Sequence, residues 1–62
     1  MKSEYVVSKY MVFSNGKLLF ESGCVYRFFR DDGTAVSETG ERRRIGLPGM
    51  KTFDNNFTLL AE

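Results

Sequence analysis

Apolar and polar positions alternate here in short blocks separated by glycine-containing reversals. From Tyr5 to Phe13 the residues YVVSKYMVF are rich in β-branched and aromatic types, with polar Ser8 and Lys9 in the middle and no helix-period stripe. This predicts a first strand, bulged near Ser8. Ser14-Asn15-Gly16-Lys17 then supplies two central residues that tolerate positive φ, so the chain reverses and Leu18-Leu19-Phe20 returns as a short arm. Glu21-Ser22-Gly23 interrupts that arm before the strongest strand signal, Cys24 to Arg30. With a period of two, Cys24, Tyr26 and Phe28 share one face, and Val25, Arg27 and Phe29 share the other. The first set is assigned to the core because the second would bury Arg27, which leaves the Phe29 ring near solvent.

Asp31-Asp32-Gly33-Thr34 reads as a hairpin turn, since aspartates bond their own backbone and glycine takes positive φ. A short strand from Thr34 to Glu38 follows, with Val36 inward. Thr39-Gly40-Glu41 turns the chain again, and Arg42 to Leu47 forms the partner strand, with Ile45 and the aliphatic stem of Arg43 on its inner side. Pro48, lacking an amide hydrogen, ends that ladder. Met50 and Phe53 lie three apart in PGMKTFDNN, a spacing for one tight helical turn that plugs one end of the core. Phe57 to Leu60 closes the pattern as a last strand, and residues 1–4 and 61–62 are expected to fray.

The 62 residues suffice for one hydrophobic core and no second domain. Six Phe and three Tyr, with no Trp, fill such a core economically, because each ring buries on the order of 150–250 Å². The expected class is all-β: a single small five-stranded barrel with one short helical turn before its last strand. The order of elements, with Phe20, Gly23, Tyr26, Asp32-Gly33, Gly40, Pro48, Phe53 and Phe57, resembles the Src-homology-3-like barrel over about residues 9–60. More narrowly it is similar to very small barrels of that type among bacteriophage-encoded proteins. That resemblance implies a small protein that binds and modulates a host macromolecule. The peptide-binding members grip polyproline with clustered aromatics that include Trp, which this chain lacks.

Candidate chemistry is sparse. The chain has no His to move protons near neutral pH, so an enzyme is not expected and no catalytic residue is assigned. Its one cysteine, Cys24, permits no intramolecular disulfide and reads as a small buried apolar group. Asp31-Asp32 reads as a turn former rather than a metal site, Gly46-Leu47-Pro48-Gly49 lacks the spacing of a phosphate loop, and no cofactor is expected. Met1-Lys2-Ser3-Glu4 lacks the apolar stretch of a signal peptide, and no segment approaches the roughly 20 apolar residues of a membrane span. The expectation is a cytoplasmic protein without a membrane partner, in the host cytoplasm where the chain is phage-encoded.

The conspicuous polar feature is Arg42-Arg43-Arg44. In one reading Arg42 and Arg44 join Arg27, Arg30 and the exposed ring of Phe29 in a partner-binding surface, with charge for acidic groups and a ring for a hot-spot contact. In the other these arginines are a solvated edge paired with Glu38, Glu41 and the aspartates across the hairpin. A protein partner is the leading expectation. Nucleic acid is the alternative, weakened by a formal net charge of only +1. Tyr5 and Tyr10 suggest a sticky edge, and an unpaired first or last strand would pair with a second copy or with a partner's strand.

Overall fold

Glycine reversals divide residues 4–60, which the computed structural model describes, into seven strands and one helix. The strands are β1 (Glu4–Ser8), β2 (Val12–Ser14), β3 (Lys17–Phe20), β4 (Val25–Phe29), β5 (Thr34–Val36), β6 (Arg42–Arg44) and β7 (Phe57–Leu59), with α1 (Lys51–Asn56) before the last. Five of them form one antiparallel sheet in the order β6-β5-β4-β1-β7, and β2 pairs with β3 as a separate hairpin. The domain is thus small and mostly β, with one short helix before its last strand. Among the described residues no helix is long and apolar enough to cross a membrane.

The predicted reversal at Asn15-Gly16 is present, with φ of 51° and 77°, the pair of positive values that a two-residue hairpin turn requires. The expected first strand is instead two. Ser8 is almost fully buried, and its hydroxyl donates to the Tyr10 carbonyl at 2.6 Å, a local bond that competes with the ladder and ends β1. The register shift falls later, between Val12 and Phe13. Glu4 belongs to β1 rather than to a frayed end; residues 1–3 and 61–62 lie outside the described residues.

Strand β4 presents its faces as predicted, with Tyr26 and Phe28 buried, Cys24 packed against the core, and Val25 and Arg27 exposed. Val36 is not inward. Register pairs Phe28 with Ala35 and Phe29 with Thr34, and cross-strand partners share a face, so Ala35 enters the core at 0 % exposure and Val36 turns outward. Gly33 sets that register. Its N–H donates to the Phe29 carbonyl at 2.9 Å, and its own carbonyl accepts from Ile45 at 2.8 Å and Gly46 at 3.0 Å. Ile45 is buried as expected, and Arg43 reaches across to Ser14 Oγ at 3.4 Å.

The helix plugs the core with Phe53 alone. Met50 caps the helix N-terminus from outside, half-exposed, with its sulfur accepting the Leu47 N–H. Inside, five rings form a chain of contacts that begins and ends on β4. Tyr26 meets Phe20 edge-on at 4.9 Å, Phe20 meets Phe57 at 5.1 Å, Phe57 lies 6.0 Å from Phe53, and Phe53 meets Phe28 at 5.4 Å. Edge-to-face pairs of this kind add about 0.5–1.5 kcal/mol each beyond area burial, and they tie β3, β7 and α1 to the sheet.

Candidate interaction site

Alternation along β4, β5 and β6 places Arg27, Phe29, Thr34, Val36, Arg42 and Arg44 on the outer face of the sheet. Phe29 is half-buried there because arginines cover it. The Arg42 guanidinium carbon lies 3.7 Å from the centre of its ring, and that of Arg27 lies 5.2 Å away. Arg42 is held in this pose by two neighbours at the β4–β5 turn: its Nη2 donates to Asp32 Oδ2 at 2.8 Å and its Nε to Thr34 Oγ1 at 3.1 Å. The Thr34 hydroxyl also donates to Asp32, and this bond leads in holding the Asp32 carboxyl below its ordinary value, with Arg42 adding to it. Arg44 is exposed and has no ion-pair partner among the described residues.

Arg30 does not join this cluster. Period two turns it to the opposite side from Phe29, where it forms a two-pronged bond to Glu4, from Nη2 at 2.8 Å and Nε at 3.0 Å. The pairing lowers the Glu4 carboxyl and raises Arg30, in both cases chiefly through the side-chain hydrogen bond. Of the five residues expected at a partner surface, the structure groups Arg27, Phe29, Arg42 and Arg44 and sets Arg30 apart. Sequence reasoning set Val25 on this face but did not count it in the partner surface, and it missed Tyr5; Val25 is 54 % and Tyr5 43 % exposed. Tyr5 stands directly opposite Arg27, a pairing set by the β1–β4 register and carried by no local motif.

One further group of side chains converges elsewhere. Ligand atoms of Glu21, Cys24 and Glu38 lie within 4.8 Å of one another beside Tyr26. The Tyr26 hydroxyl donates to Glu38 Oε2 at 2.6 Å and accepts the Glu21 N–H at 2.6 Å. Burial, with the adjacent Glu38 carboxylate, pushes the phenol up to about 12 against the opposing Glu21 bond. The set mixes one soft sulfur with two hard oxygens, and its geometry is accounted for as a hydrogen-bonded cap over a buried tyrosine. Comparison of the chain with family models, with curated proteins and with solved structures returned no match.

Proposed function

We propose that the protein is a non-catalytic interaction module that docks an acidic protein surface on the outer face of β4, β5 and β6. The observation that carries this reading is the stack of Arg42 and Arg27 on Phe29, with Arg42 fixed by Asp32 and Thr34. Arginine and aromatic side chains dominate the energetics of protein interfaces, and a guanidinium already oriented loses less freedom on binding a carboxylate. Arg44, free of an ion pair among the described residues, supplies a second cation on the same face. Strand order and the helix before the last strand support the Src-homology-3-like barrel as the scaffold, and the phage-type resemblance makes a host protein the target.

Nucleic acid is the weaker reading. Stacking a base on Phe29 requires removing a guanidinium that sits 3.7 Å from the ring centre, and the formal net charge is only +1. The test is affinity capture from the native cell with and without nuclease, using wild type, Phe29→Ala and Arg42→Ala/Arg44→Ala. The module reading expects one protein retained after nuclease and lost with either variant. Retention that disappears with nuclease, together with a steep salt dependence of oligonucleotide binding, would assign the arginines to phosphates instead.

A further inference from the structure

Strand β6 ends the five-stranded sheet, and its outer edge is open. The Ser37 N–H donates to the Glu41 carbonyl at 2.8 Å and the Ile45 N–H to the Gly33 carbonyl at 2.8 Å, so Glu41 and Ile45 face β5. Alternation in an antiparallel ladder then directs the N–H and C=O groups of Arg42 and Arg44 away from β5. Among the described residues these groups have no backbone partner outside the ladder. A cavity of about 560 Å³ runs along this edge. Its wall includes every residue from Arg42 to Ile45. Consecutive strand residues point to opposite faces, so a space that touches all four follows the edge rather than one face. Val12 and Leu19 of the β2–β3 hairpin are among its apolar lining.

Three arginines line the cavity and, among the described residues, no carboxylate does. Arg42 is paired with Asp32 at 2.8 Å, Arg43 has a 3.8 Å ion contact with Glu41 beside its 3.4 Å bond to Ser14, and Arg44 has no ion-pair partner among the described residues. We infer that this groove accepts an extended acidic peptide as an added strand on β6. Its backbone bonds the free groups of Arg42 and Arg44, alternate acidic side chains lie beside those two guanidinium groups, and the intervening apolar side chains turn toward Val12 and Leu19. This is recognition by strand addition, in which main-chain bonds supply affinity and alternate side chains supply selectivity. It shares the Arg42 and Arg44 side chains with docking on the outer face, and differs from it in taking its main-chain bonds from the edge of β6.

The probe is an acetylated hexapeptide of alternating Glu and Val, titrated into the ¹⁵N-labelled full chain. The expected result is saturable binding, with amide exchange at Arg42 and Arg44 slowed by about tenfold or more. N-methylation of alternate peptide residues, made in both phases, is expected to weaken one of the two peptides by about tenfold or more, and Arg44→Glu to weaken the parent peptide similarly. Phe29→Ala removes the ring beneath Arg42 and leaves the β6 main-chain groups in place, so the contrast of about tenfold or more between the two N-methylated peptides is expected to survive in it. The inference is overturned by absent or non-saturable shifts at Arg42 and Arg44, by equal affinity of both N-methylated peptides and the parent, or by equal affinity of a Lys-Val peptide. Loss of the contrast between the two N-methylated peptides in a folded Phe29→Ala protein, or tighter binding of an oligonucleotide at the same amides, overturns it as well. The N-methylated peptides keep the test decisive even where Arg44→Glu fails to fold.

Discussion

Tyr26 concentrates several physical effects in one side chain. Its ring belongs to the aromatic chain of the core, while its hydroxyl donates to Glu38 and accepts from the Glu21 backbone. Tyr26→Phe keeps the ring and removes both bonds, which is expected to cost about 1–2 kcal/mol in chemical denaturation. The pH dependence is specific. The folded phenol is raised from an ordinary value of 10.0 to about 12, so its contribution is intact below 10.0 and is lost as the pH climbs toward about 12. That alkaline decline is expected in wild type and reduced in Tyr26→Phe; equal slopes in the two proteins would contradict the assignment. Phe29→Ala is a contrasting case. It removes a half-buried ring and two cation–π contacts, with an expected cost of about 1–2 kcal/mol and an unchanged far-ultraviolet dichroism spectrum. Collapse of the fold would instead place the ring in the core.

At the scale of elements, the turn between β4 and β5 governs which residues face inward. Gly33 has φ of 69°, and a Cβ there would lie 3.2 Å from the backbone carbonyl group of Gly46. Gly33→Ala is therefore expected to lower stability by about 1–3 kcal/mol, read as a shift in the denaturation midpoint, because strain and a backbone clash add. The same turn shows what the sequence could reveal. β4 was legible because Tyr26 and Phe28 alternate with Arg27, and the hairpin turn was legible because Asn15-Gly16 is chemically specific. β5 was not, since Thr34-Ala35-Val36 offers a larger apolar residue at the position that turns outward, and only the contacts of Gly33 fix the register. The candidate face was partly legible: period two set Phe29 and Arg27 together. The stacking of Arg42 on Phe29, the withdrawal of Arg30 to Glu4 and the cavity beside β6 depend on three-dimensional placement that no spacing encodes.

Across the whole molecule, a radius of gyration of 10.6 Å matches about what a compact chain of this length adopts. Two ion pairs cross between elements of the sheet, Glu4 of β1 with Arg30 just past β4 and Asp32 of the β4–β5 turn with Arg42 of β6. Both carboxyls are held below their ordinary values, so their contribution is present above the unfolded pKa and is lost as the pH falls through the depressed folded values. Denaturation midpoints are expected to drop on the acid side of the carboxylate range and to fall less steeply in Glu4→Gln and Asp32→Asn. Asp32 is exposed and Glu4 partly so, so added salt should shrink the effect; a salt-independent acid transition would locate its cause elsewhere. The edge-on contact of Tyr26 with Phe20 also has a practical consequence. Tyr5 and Tyr10 are exposed and the chain has no Trp, so one tyrosine in a fixed chiral setting dominates the near-ultraviolet dichroism. The protein carries a built-in optical gauge of its interior, and loss of that band ahead of the far-ultraviolet signal would reveal a core that loosens before its strands separate.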